Sequence, residues 1–597
     1  MKNKTKTSAL RIFSSVLVIL FLITYCVALT ACSITQDTDV VTSPTQIRQS
    51  SEKITYYYYS DNALISTSDA ETFETNIAVE EAVEVVFNLD YEIDKCDCKD
   101  QIDKDATKEK VYSIMQAHRN KLKEQHIARN NEFVVNNGLS SLQDICTLLV
   151  SQYSPYVYML FDNYQEYLQL ENQIITCSYS NMVNMVSISI AQQNDDAASR
   201  ISPNYSPEYL LKDAIADINA ENQSYDGDNV KIGIIEALGV TYPNSHSELN
   251  SLDIHTAGIG SSDSHATMVT RILCGSNGVA PGVDEVYIYG CPNLDYFLLA
   301  LEYMLDNNVW LVNISAEIPT LAGQYHWTSA VLDYYVSSYF ITFITAAGNT
   351  GSTTNSDVSC FSMGYNIISV AAVDANNVVG TYSSYGADDY YKTTKPTIAA
   401  PGTNIKLNGT LSDSGTSYSA PMVAGVVAKL MDEFPILSAY PEAIIPILTV
   451  SAMPVNGQGN NWDIHAGAGR VNYEKAREAA ENYVDFRFSD DELGIRIIEE
   501  ISVNKNKRLK VAAAWLTNSM TEDSEDDVLV YQHTDYDIFL TDIFGRRIDG
   551  AESYGSTNIE YINYENGVYD VVNINLGQYL TKKTIYSDYG AFTWVCE

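Results

Sequence analysis

The sequence predicts an α/β domain, a parallel sheet with helices on both faces, between a smaller α+β domain and a C-terminal β-sandwich. Three observations carry this. Short apolar runs alternate with helical stretches from about residue 230 to 483, the pattern of strands laid parallel by crossover helices. A shorter strand–helix alternation occupies residues 77–190. From about residue 485 no long helix follows, and Gly545, Gly550, Gly555 and Gly567 fall at or between likely turns. A chain of 597 residues exceeds one hydrophobic core, and 46% apolar with 19% charged residues is a globular composition.

The elements follow in chain order. Lys2, Lys4, Lys6 and Arg11 precede an apolar run over residues 12–29, which reads as a secretory signal. It ends in Leu29-Thr30-Ala31-Cys32-Ser33, where small residues suit a peptidase cleft and a thiol suits lipid attachment. The stretch resembles a bacterial lipoprotein lipobox. That resemblance implies a signal peptide over 1–31, cleavage before Cys32 and a diacylglyceryl anchor on its sulfur. The protein is then expected outside the cytoplasm, on the bacterial membrane. A plain signal peptide or a lone membrane anchor is the alternative. Residues 32–75 are polar and read as a spacer, with the run Tyr56-Tyr57-Tyr58-Tyr59 left without a role.

Residues 76–195 form the predicted α+β domain. Strands are expected at 82–87, 156–161 and 182–190. A helix is expected where Val111, Ile114, Met115, His118 and Leu122 recur, and a short one at 163–170. Residues 202–229 are turn-rich and read as a linker with one short helix inside. The main domain, 205–484, has apolar runs at 230–236, 284–289, 309–314, 341–346 and 367–373. Helices lie between them at 296–305 and 329–336, and others close the domain at 435–453 and 473–483. Residues 485–597 are the β-sandwich, with strands at 508–516 and 535–542.

Charge and cysteine content exclude several functions. With 36 basic and 76 acidic side chains the net charge is −40, which repels nucleic acid and anionic headgroups. The surplus carboxylates leave calcium open as a bound ion, though no D-x-D-x-D-G loop is present. No other cofactor is expected. Of ten cysteines, Cys26 leaves with the signal. The others show no C-x-x-C spacing, and Cys96-Asp97-Cys98 is too isolated for a metal site.

The chemistry is concentrated at four places. Ser414-Gly415-Thr416-Ser417-Tyr418-Ser419-Ala420-Pro421 leads into an Ala/Val-rich helix, so Ser417 sits near a helix N-terminus with Pro421 read as part of the first turn. Acyl transfer at a serine needs a base, a group that orients the base, and donors for the oxyanion. His265, in Ser264-His265-Ala266-Thr267, is the candidate base. Glu236, closing the first apolar strand, is the candidate orienter. Asn349, in Ala346-Ala347-Gly348-Asn349-Thr350-Gly351, is the candidate oxyanion donor.

These stretches together resemble the subtilisin-like serine peptidases, in which carboxylate, histidine and serine follow in this chain order. Further stretches share the resemblance: Ser245-His246-Ser247-Glu248, Tyr382-Ser383-Ser384-Tyr385-Gly386, Ala399-Ala400-Pro401-Gly402 and Gly467-Ala468-Gly469-Arg470. The family likeness implies an endopeptidase acting on proteins or peptides through an acyl-enzyme. Ser417 would be the nucleophile, His265 the base and then acid, and Asn349 the oxyanion donor. The segment containing Ser315, Ala316 and Glu317 would bind substrate. It also implies that residues 76–195 are an inhibitory propeptide, a partner to the enzyme from its own chain. Cleavage after that domain would shed the enzyme from the lipid, and an uncut chain would stay tethered.

Three positions depart from the family pattern. Glu236 stands where aspartate is usual, Ala266 replaces a glycine after the histidine, and Glu317 and Ile318 replace two glycines of the substrate-binding segment. The rival reading is a protease-like scaffold that binds peptides or partner proteins without cutting them. A third is an esterase with a groove too narrow for protein.

Overall fold

The structure, a computed structural model, describes residues 54–597 with interruptions, the longest at 68–76, 193–206, 387–394, 489–493 and 581–587. The signal segment and Cys32 lie outside the described residues.

The N-terminal domain starts earlier than the sequence suggested. Strands β1 (Ile54–Ser60) and β2 (Ala63–Thr67) form a hairpin in which Ser60 faces Ala63. The four tyrosines belong to β1, where aromatic residues suit a pleated surface. The spacer reading of 32–75 is thereby corrected for these two segments. The domain continues with β3 (Val83–Asn88), helix α1 (Lys108–Asn136), β4 (Thr147–Val150), β5 (Tyr156–Phe161), helix α2 (Tyr164–Ile174) and β6 (Asn181–Val186). The sheet order is β2-β1-β6-β3-β5-β4. Strand β4 had no periodicity to reveal it. The short pair β7 (Ala191–Gln192) follows, then β8 (Tyr209–Leu210) and helix α3 (Leu211–Asp217), the short helix expected in the linker.

The central domain holds a seven-stranded, wholly parallel sheet. Its strands are β9 (Ile232–Ala237), β11 (Asp253–Gly258), β13 (Glu285–Cys291), β14 (Leu311–Ile314), β16 (Thr342–Ala346), β17 (Ile368–Val373) and β18 (Ile398–Pro401). Minor strands are β10 (Val240–Pro243), β12 (Ser261–Asp263), β15 (Ala316–Glu317) and β19 (Ile405–Lys406). Strand order is β11-β13-β9-β14-β16-β17-β18. The chain enters at β9, goes out to the edge at β11, returns through β13 beside β9, then crosses to β14 on the other side. That reversal opens a crevice at the carboxyl end of β9, where ligands bind in such sheets. The helices are α4 (Ser264–Cys274), α5 (Asp295–Asp306), α6 (Trp327–Tyr339), α7 (Thr416–Glu433), α8 (Pro441–Ser451) and α9 (Tyr473–Asn482).

Burial explains why these runs are apolar without alternation. Every residue of β9, β14, β16, β17 and β18 is buried, as strands covered on both faces must be. The C-terminal domain is two four-stranded sheets. One holds Val484–Phe488, Asp588–Cys596, Lys507–Trp515 and Ile559–Asn566. The other holds Gly494–Ser502, Val571–Leu580, Asp535–Thr541 and Arg547–Ser553. Alternate residues Leu509, Val511, Ala513 and Trp515 fill the space between them with Ile538 and Ile574. Among the described residues no disulfide forms.

Candidate active site

Glu236 is the penultimate residue of β9 and is fully buried, paired in register with Gly290 of β13. His265 is the second residue of α4. Asp263, the N-cap, accepts the His265 backbone N–H at 2.8 Å, which fixes the direction in which the imidazole leaves the helix. The other end of α4 is clamped by a buried ion pair, Arg271 Nε to Glu248 Oε2 at 2.7 Å, with Asn277 donating to Glu248 Oε1 at 3.0 Å. Burial by itself would raise the Glu248 carboxyl, but the guanidinium and amide outweigh it and hold it below the usual carboxylate range.

The sheet crevice brings the two predicted groups together. His265 Nδ1 lies 3.0 Å from Glu236 Oε2. A carboxylate only accepts, so in the neutral ring Nδ1 carries the proton and Nε2 is left as an acceptor. The longer glutamate therefore reaches the imidazole from its buried strand. Its second oxygen, Oε1, meets no donor among the described residues.

Ser417 is the second residue of α7 and fully buried. The start of α7 passes so close to Gly402 that a Cβ there would stand 1.9 Å from Oγ of Ser419 in the helix and 2.9 Å from O of its N-cap Gly415. Pro421 is not in the first turn, as the sequence suggested, but inside the helix. It has no N–H to give the carbonyl four residues back, which is that of Ser417. Ser315 supplies the missing donor, Oγ to Ser417 O at 3.0 Å, and Asn313 Nδ2 in turn donates to Ser315 Oγ at 2.9 Å.

Asn349 follows β16 through Gly348, whose φ of +121° favours glycine. Asn349 Oδ1 accepts from Thr416 N at 3.0 Å, and the Thr416 hydroxyl lies 3.0 Å away as well. The Thr416 N–H identifies Oδ1 as the oxygen and turns the amide Nδ2 away from Thr416, while the hydroxyl also lies 3.1 Å from Gly348 O and accepts from the Gly348 N–H. Sequence reasoning missed Thr416 and Asp263. Their signals were present, a Thr directly before the serine and an Asp two residues before the histidine.

The substrate-segment residues take three positions. Ser315 reaches the Ser417 carbonyl, while Ala316 and Glu317 form β15. That strand pairs antiparallel with β7, Ala316 opposite Gln192 and Glu317 opposite Ala191. Side chains at 317 and 318 have therefore not closed this edge to an extended chain. Among the described residues no group of three or more His, Cys, Asp or Glu is arranged to hold a metal.

The family profile described as the subtilase family matches residues 158–469, more than half of the chain. The chain belongs to the subtilase family. This subtilase is a subtilisin-like serine protease. Over 238 residues it is 30% identical to subtilisin DY of Bacillus licheniformis, covering 36% of this chain and 82% of that one. It is 26% identical over 244 residues to a thermostable alkaline protease of Halalkalibacterium halodurans, of which it covers 60%. Among solved structures, the subtilase overlaps fervidolysin from Fervidobacterium pennivorans, a keratinolytic enzyme related to subtilisin. That overlap has a TM-score of 0.45 and 16% identity, and covers 89% of this chain and 73% of the other.

Proposed function

We propose that this subtilase is a lipid-anchored extracytoplasmic endopeptidase using Glu236, His265 and Ser417, with Asn349 as a donor to the oxyanion. The observation that carries the reading is the 3.0 Å contact between the buried Glu236 and His265. Ser417 Oγ attacks the scissile carbonyl carbon while His265 Nε2 takes its proton. Glu236 holds the imidazole in the tautomer that permits this and stabilises its cation. The tetrahedral oxyanion accepts from the Ser417 N–H and from Asn349 Nδ2. His265 then gives its proton to the leaving amine, and water repeats the sequence on the acyl-enzyme.

The N-terminal domain is proposed as the propeptide. Strand addition of β7 to β15 is the geometry by which an extended substrate docks on a strand edge. The anchor on Cys32 rests on the lipobox-like sequence.

Labelling by a fluorophosphonate tests the reading. Wild type is expected to label and Ser417→Ala to lose labelling. Glu236→Asp draws the carboxylate back by about 1 Å and is expected to slow labelling about 10²-fold. A folded wild type that does not label would support the binding scaffold instead.

A further inference from the structure

Tyr418 directly follows Ser417 as the third residue of α7 and is buried. Its ring centroid lies 5.9 Å from that of the His265 imidazole, with the two planes tilted by 43°. That separation is the ordinary one for packed aromatic rings. The far end of the ring is tied down. The Tyr418 hydroxyl donates to Asp413 Oδ2 at 2.9 Å, and Asp413 Oδ1 accepts from Ser414 N at 2.8 Å. Asp413 is itself fixed to Ile405, each N–H donating to the other's carbonyl, and Ser414 Oγ accepts from Asn404 N at 2.8 Å. The loop that delivers the nucleophile therefore also fixes the ring that lies against the histidine.

The orienting carboxylate gives this ring a task. Glu236 grips the imidazole at Nδ1 alone, at 3.0 Å. A glutamate has one more rotatable bond than an aspartate, so its oxygen can follow an imidazole that tilts without losing the hydrogen bond. That bond sets the tautomer and leaves the tilt of the ring to its neighbours. Tyr418 is a rigid neighbour anchored at both ends, beside Ser417 through the backbone and at Asp413 through the hydroxyl. Because it shares a helical turn with Ser417, it keeps the imidazole in register with the nucleophile.

We infer that Tyr418 is a positioning residue, which holds the His265 imidazole against the tilt that the longer Glu236 allows. The inference rests on the protease reading above and is tested with the full chain, by steady-state kinetics on one fluorogenic peptide amide. Active sites are counted by exhaustive fluorophosphonate labelling, so that unfolded molecules drop out. Tyr418→Leu is expected to lower kcat about 10²-fold with KM within about twofold, the cost of a small misplacement of a catalytic group. Tyr418→Met, which fills the space with a flexible chain, should behave as Leu does. Tyr418→Phe keeps the ring, loses the tie to Asp413, and should retain about a third of kcat. The deciding comparison is made in Glu236→Asp, whose shorter arm follows the imidazole less. There Tyr418→Leu should cost about tenfold less than it does beside Glu236. An equal cost in both backgrounds, or a loss confined to KM, would make Tyr418 a packing residue and overturn the inference while leaving the protease intact. Absence of both labelling and turnover in the wild type would overturn the protease reading itself.

Discussion

Thr416 shows how much of a catalytic geometry can depend on a residue with no chemical step of its own. Its N–H holds the oxygen of Asn349, so that the amide hydrogens face the other way, and its hydroxyl sits between that oxygen and the Gly348 carbonyl. Removing Asn349 itself, as Asn349→Ala, is expected to cost about 10²–10³ in turnover, the loss known for this donor in subtilisin. Thr416→Val keeps the backbone donor and loses the hydroxyl. We expect a smaller fall in kcat, about tenfold, with KM little changed, because the interaction matters only once the oxyanion forms. Steady-state kinetics on one peptide separates the two parameters. A rise in KM at constant kcat would assign Thr416 to substrate binding instead.

At the scale of elements, helix ends position the chemistry. Asp263 caps α4 beside His265, and Asp263→Ala is expected to cost about 1 kcal/mol of stability together with a loss of turnover. His326 opens α6 with a capping box to Ser329, and it is buried, with Nδ1 3.3 Å from Thr328 Oγ1. That burial brings its imidazole down to about 3. The unfolded chain, with a pKa near 6.5, therefore binds more protons than the folded one between those two values. The contribution to stability is complete above about pH 6.5 and declines as pH falls, by about 2 kcal/mol at pH 5. Urea unfolding at pH 7 and pH 5 measures this, and His326→Gln should flatten the difference. An unchanged slope in that variant would assign the acid sensitivity elsewhere.

Across the whole molecule, the N-terminal domain is joined to the enzyme at places other than the β7–β15 pair. Arg119 of α1 donates to the carbonyls of Val309 and Tyr339, and the neighbouring His118 Nε2 donates to Ser338 O at 2.8 Å. The last carbonyls of α6 are thus capped by another domain. Lys99 crosses from the same domain to Glu442 on α8 at 2.5 Å, both nearly inaccessible. Its ammonium lies 4.0 to 4.5 Å from the rings of Phe340, Tyr440 and Tyr589, so that all three domains meet there. Lys99→Met strands a buried carboxylate, and a loss of about 3–5 kcal/mol is expected in denaturant unfolding. Adding Glu442→Met should recover most of it. The same contacts predict that, after cleavage between β7 and α3, the N-terminal fragment co-purifies with the protease. Its separation at neutral pH would show that the chain connection and the β7–β15 pair alone join them.

Much of this was legible in the sequence because it is local. Uninterrupted apolar runs declare strands covered on both faces, and Ser417, His265, Glu236 and Asn349 sit in short motifs at strand and helix ends. Where reading failed, the controlling partner was distant in sequence. The tyrosines of β1 look like a polar tail until β6 pairs with them. Pro421 looks like a first-turn residue until Ser315 is seen serving the Ser417 carbonyl. Residue types and their order determined the family, the layered fold and the candidate chemistry, since each follows from short-range pattern. Only the tertiary structure decided what Tyr418 packs against, what holds Asn349 and how Lys99 joins three domains. Those depend on burial and on hydrogen-bond partners many residues away, which no local pattern encodes.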